Sequence, residues 1–255
     1  MRIKARSTAP VTTIALLPAL LLAAVGCSSA DSPASGKVPD PKGSAAVPAP
    51  GAPGASASGS AKPGAAPVGL ERAALVQGDL PGYQVSAQGK NPNAPDGQPQ
   101  ADKKACQPLA DIMGDKPDPA ARETVNRGIG SQKQVGLAVS ASVSSYSEDD
   151  AKRLVSRLRD AVAACGTGFA ATVEKQTGSY RDVKAVPYRT AADESVSWTT
   201  IAAAGGVSAQ VHLVVAREGD TVVRLMALNV AGAGQQATVP QEVADKQLEK
   251  VAKAG

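Results

Sequence analysis

A strand of strict alternation runs directly into a capped amphipathic helix, and this pairing constrains the fold more than any other feature. Val135, Leu137, Val139, Ala141 and Val143 alternate with Gly136, Ala138, Ser140, Ser142 and Ser144. A period of two, apolar on one face and small and polar on the other, predicts a long strand half-buried against a core. Ser147 follows as an N-cap, with Asp150 at N3 as a short form of the capping-box acid. Glu148, Asp149 and Asp150 suit the positive end of the helix dipole. Ala151, Leu154, Val155, Leu158, Val162 and Cys165 then recur at helical spacing, which puts Cys165 on the core side.

Cys165 has one partner of its own kind in the folded part, Cys106, near the start of a short helix expected over Lys103 to Met113. In an exported chain such a pair most simply forms one disulfide, two free thiols being the alternative. The bridge would close a loop of about 60 residues and destabilise the denatured state by about 4 kcal/mol. No C-x-x-C spacing supports a redox role.

The remaining segments mix the two periods. Leu70 to Val76 is expected as a short helix, Tyr83 to Val85 as the start of a strand, and Gln88 to Gln100 as an exposed loop. Phe169 to Val173 and Arg181 to Tyr188 are expected as strands around a Thr177-Gly178-Ser179 turn. Ser195 to Ala202, Ala209 to Ala216 and Thr221 to Val230 form a meander turning at Gly205-Gly206 and Glu218-Gly219-Asp220. Pro240 opens a last helix with Val243, Leu248 and Val251 toward the body. The order predicts an α+β domain over residues 68–255, with a mainly antiparallel sheet packed by helices.

What precedes the domain speaks to location. Arg2, Lys4 and Arg6 lead into an apolar run from Ile14 to Val25, too short for a comfortable membrane span. This is the pattern of a secretory signal peptide over residues 1–26. Ala24-Val25-Gly26-Cys27 resembles the lipobox of bacterial lipoproteins, departing from its commonest form at Ala24. Cys27 is then the lipidated first residue, anchored to the bilayer by two acyl chains where one would be marginal. An ordinary signal cut beside a leftover cysteine is the alternative. Residues 27–67 continue as Ala, Pro, Gly and Ser, a composition that cannot offset chain entropy and is expected to be a disordered tether. Such a coil averages about 35 Å end to end and reaches about 120 Å extended.

Removing residues 1–26 takes away three of the 27 basic side chains and leaves 24 against 23 acidic ones. So neutral a chain has no electrostatic footprint for nucleic acid. His212, the one histidine, alternates with Val211 and Leu213 in a strand and is expected to be half-exposed there. A hydrolase would need it as a base beside a nucleophile, yet no G-x-S-x-G elbow precedes it. One histidine and two bonded thiols cannot supply a zinc site. The acids at 148–150 lack the spacing of a calcium loop, and Asp193-Glu194 is expected in an exposed turn. Gly128-Ile129-Gly130 and Gly166-Thr167-Gly168 lack a phosphate-loop frame and are expected to be turns. A carboxylate-pair glycosidase is disfavoured by aromatic poverty, since only Trp198, Phe169 and four tyrosines are present. Trp198 alternates with Val196 and Thr200, which predicts a core plug, or alternatively a residue lining a cleft between sheet and helices.

"DLPGYQV", the Cys-x-Pro-Leu helix, the long strand, the helix ending "AVAAC", "ADES" before a strand and the terminal "VPQEVADKQLEKV" together resemble actinobacterial lipoproteins. Over about residues 70–253 the domain is similar to the extracellular sensor domain of PknH-type mycobacterial serine/threonine kinases and their free lipoprotein relatives. That resemblance implies an α+β fold with a cleft for an unidentified ligand. The family's sensor domains carry two disulfides where this chain has cysteines for one, and no binding residue carries across. The expectation is therefore a membrane-anchored extracytoplasmic lipoprotein with a non-catalytic ligand-sensing or carrier domain, without cofactor. The alternative is a cell-envelope scaffold, which would show an exposed apolar patch of several hundred Å².

Overall fold

The computed structural model describes residues 69–89, 97–229 and 236–255. The segments expected as signal peptide and tether, with Cys27, lie outside the described residues. After a single helical turn, α1 (Leu70–Ala73), the chain forms β1 (Tyr83–Gln88) and β2 (Gln100–Ala101). A 3₁₀ turn at Lys104–Cys106 leads into α2 (Gln107–Met113), then β3 (Glu123–Ser131), β4 (Leu137–Ser145) and α3 (Glu148–Ala164). Five strands follow: β5 (Phe169–Val173), β6 (Gln176–Ala185), β7 (Glu194–Ala204), β8 (Val207–Glu218) and β9 (Thr221–Asn229). The final helix is α4 (Gln241–Ala254).

All nine strands join one sheet in the order β1-β3-β4-β9-β8-β7-β6-β5-β2. Every adjacent pair is antiparallel, as expected of the α+β reading. The helices cover opposite faces over opposite halves. On one face α2 and α3 bury Phe169, Val183, Val196, Trp198, Val211, Leu213 and Val215, which belong to β5 through β8. On the other, α4 and α1 bury Val85, Ile129, Val139, Leu225 and Val214, from β1 across to β8. The two coats overlap only at the centre, so Val211 to Arg217 of β8 are buried without a break. That double burial explains the apolar run Leu213 to Ala216 in β8, against the apolar–polar alternation of β4.

Helix α3 starts as its sequence directs, with the Ser147 hydroxyl accepting from the Asp150 amide at 3.2 Å. It ends at Cys165, whose disulfide to Cys106 spans a Cα–Cα distance of 5.9 Å and ties α3 to the turn that opens α2.

Several local expectations need correction. Gly128-Ile129-Gly130 is not a turn but the middle of β3, paired with both β1 and β4. Thr177-Gly178-Ser179 likewise belongs to β6, and the chain reverses earlier, at Glu174-Lys175, where Glu174 takes φ 53°. The first helix stops after one turn, and β2 closes the loop expected up to Gln100. His212 is 2 % exposed instead of half-exposed, because residues 237–239 cross over its face of β8.

Candidate functional site

Because α2 and α3 cover only one half of their face, no helix among the described residues covers β1, β3 and the first half of β4 on that side. The register sets the residues of this bare face in rows. Gln84, Gly130 and Ala138 form one row, and Ser86, Gly128 and Ser140 the next. Further along, Gln88, Asn126 and Ser142 precede Thr124 and Ser144. Small side chains here leave a trough. Gly128 and Gly130 have the β geometry of their neighbours, so their absent side chains supply space instead of turn geometry. A Cβ at Gly130 would meet nothing within 4 Å, while one at Gly128 would run into the overlying Gln88 amide.

Two cavities follow one another along this face. The first, about 590 Å³, is lined by Gln84, Ser86, Gly128, Gly130, Ala138 and Ser140, with Leu228 of β9 on its far side. The Gln77 side chain accepts from the Val85 amide at 2.8 Å, which closes part of the β1 edge beside it. The second cavity, about 290 Å³, continues over Asn126, Ser142, Thr124 and Ser144. Ile112, Asp115 and Pro117, at and beyond the end of α2, form its wall. From Gly130 to Thr124 the groove runs about 20 Å at the usual rise of about 3.3 Å per residue.

A guanidinium sits at the second end. Arg224 of β9 is 5 % exposed and directly opposite Ser142. Its Nη1 donates to the Ile112 carbonyl at 2.9 Å and its Nη2 to Ser142 Oγ at 2.8 Å. Asp115 Oδ1 lies 2.9 Å from the same Nη2. Burial lowers the Arg224 pKa, an effect that Asp115 opposes, and an arginine keeps its charge through such shifts. Burial also pushes the Tyr146 hydroxyl, lining the same cavity, up to about 12, so it remains a neutral donor. Hydroxyls, amides and one guanidinium can hold and orient a ligand.

The other groups singled out in the sequence are placed elsewhere. His212 and Ser197 form a pair on the α4 face, Nε2 to Oγ 2.8 Å. Nδ1 accepts the Val239 amide at 2.9 Å, so the neutral ring carries its proton on Nε2. Ser197 therefore receives a hydrogen bond where a nucleophile would need a base. Trp198 is fully buried under α3 and lines neither cavity. Glu148 pairs with Lys152 at 2.6 Å and Asp150 with Arg153, all in the first turns of α3. Asp193 and Glu194 lie 3.0 and 3.3 Å from the buried guanidinium of Arg217. Of the exposed large apolar side chains among the described residues, Val76 and Val135 sit on connections, and Val207 is the first residue of β8.

No family model matches the chain, and no curated protein matches it. Among solved structures it is similar to the extracellular domain of PknH from Mycobacterium tuberculosis, at 15 % identity and a TM-score of 0.46. That alignment covers 75 % of this chain and 98 % of the other. An uncharacterised protein of Mycobacterium smegmatis aligns at 13 % identity and a TM-score of 0.37, over 69 % of this chain and 90 % of its own.

Proposed function

We propose that this chain is a lipoprotein held at the extracytoplasmic face of the cell membrane by acylated Cys27, and that its domain is a non-catalytic ligand-sensing or carrier module. The bare face of β1, β3 and β4 carries this reading. A sheet face without helical cover normally carries long polar side chains toward water. Here it is floored by Gly128, Gly130, Ala138 and Ser140, which leave room for a ligand and supply hydrogen-bonding groups around it. The disulfide suits an oxidising compartment, and the lipobox resemblance at 24–27 supplies the anchor. Amides and hydroxyls dominate the groove, and the Ser197–His212 pair is aligned against nucleophilic use, so the site is one for binding.

Native mass spectrometry of the full chain after exposure to extract from its own host tests this. A reproducible adduct, removed by denaturation, is the expected result. An adduct retained undiminished when the groove is filled by Gly130→Leu would place the ligand elsewhere and overturn the assignment.

A further inference from the structure

We infer, on the strength of that groove reading, that the ligand is a short extended peptide whose free C-terminal carboxylate binds Arg224 by taking the place of Asp115. A buried guanidinium is tolerated only with an anion beside it, since an unpaired buried charge is strongly destabilising. The anion the protein provides is the most readily displaced of the three groups that contact the guanidinium. Ile112 O is backbone and Ser142 belongs to the central part of the sheet, whereas the Asp115 side chain is 34 % exposed. It also sits on a left-handed residue, φ 61°, just past the end of α2. A ligand carboxylate would make the same charge-assisted bond, so the guanidinium never goes unpaired, while Asp115 turns into water and is solvated.

The rest of the groove suits a peptide main chain. Gln84, Gln88, Ser86 and Ser140 carry donors and acceptors without charge, matching a backbone that offers one N–H and one C=O per residue. Among the described residues Tyr146 is the one aromatic ring lining either cavity, at the carboxylate end, so they give the long section no platform on which a sugar ring would stack. Its length of about 20 Å holds about six extended residues.

The experiment is calorimetric titration of the full chain, purified in detergent, with two equimolar hexapeptide mixtures. Both draw each position from Gly, Ala, Ser and Val; one ends in a free carboxylate and the other in an amide. The acid mixture is expected to bind at least tenfold more tightly than the amide. Asp115→Asn, which keeps a residue type tolerant of the left-handed conformation, removes the internal competitor and is expected to tighten acid binding about fivefold. Equal binding of acid and amide, or Asp115→Asn leaving acid binding unchanged or weaker, would overturn the carboxylate exchange. Binding of neither mixture to either protein would overturn the peptide assignment, while the groove itself still stands or falls by the adduct experiment.

Discussion

His212 Nδ1 lies 2.9 Å from the amide nitrogen of Val239, and this one bond fixes both the protonation state of the ring and the path of the chain over it. A protonated imidazole would turn a second N–H toward that amide. Burial accordingly lowers the His212 pKa from 6.5 to about 4. The unfolded chain then binds the proton more readily than the folded one, so stability is full above about pH 6.5. It is lost as pH falls from there toward 4, by about 3 kcal/mol. Urea midpoints at pH 7, 5.5 and 4 should show this decline, and His212→Gln should flatten the 6.5-to-4.5 portion. Carboxylates held low by partners, such as Asp79 beside Lys250, titrate below that window and act equally in both proteins.

Gln247 is a second buried polar clamp. It is fully buried in α4, accepts from the Leu75 amide at 3.2 Å and donates to the Ala73 carbonyl at 2.6 Å. It thereby satisfies the backbone leaving α1, which is too short to satisfy itself. Gln247→Leu keeps the volume but strands both backbone groups, and is expected to cost about 3 kcal/mol. A melting curve of the variant would check this; an unchanged midpoint would show that water replaces the amide.

Legibility in the sequence followed the strength of local pattern. Ser147, the acids after it and the apolar spacing through Cys165 defined α3 to within a residue, because cap, dipole and amphipathic face all agree. The turns at Gly205-Gly206 and Gly219 were equally readable, since each needs positive φ. Strand β3 was not, because Gly128 and Gly130 interrupt its alternation, the first where the Gln88 amide lies over the strand and the second where the groove is open. Arg224 is not marked by its sequence context either. It is one charged residue in an apolar strand, and only the register opposite Ser142 and the end of α2 gives it partners. His212 looked half-exposed because strand alternation cannot reveal that a distant segment, 237–239, covers the second face of β8.

Cys106 and Cys165 are 1 % and 0 % exposed, so reductant alone should leave the bridge intact in the folded protein. Replacing both cysteines by serine is expected to lower stability by about 2–4 kcal/mol, mostly by freeing the denatured chain between them. Urea unfolding of the double variant checks the magnitude. Thiol labelling of the native wild type, with and without denaturant, checks the burial.

The proposed lipid anchor at Cys27 makes its own prediction. Cys27→Ala should abolish incorporation of labelled palmitate into the protein, because the thioether has no other acceptor at that site. Two chains are needed for a stable hold, each buried CH₂ contributing about 0.8 kcal/mol. Labelling that persists in the variant would remove the lipobox from the functional reading.

Gly130 separates binding from folding. It lies in β3 between Gln84 and Ala138, and a side chain there would enter the first cavity without meeting any atom within 4 Å of its Cβ. Leucine also fits strand geometry better than glycine, which loses more entropy on ordering, so Gly130→Leu should leave stability unchanged or raise it by about 0.5 kcal/mol. The same side chain occupies the floor of the groove and should reduce ligand binding at least tenfold. Unaltered binding together with unaltered stability would mean that the bare face is only a solvated surface, and lost stability would mean that the strand is closer packed than its empty neighbourhood shows. A melting curve and an adduct measurement on one preparation distinguish these outcomes.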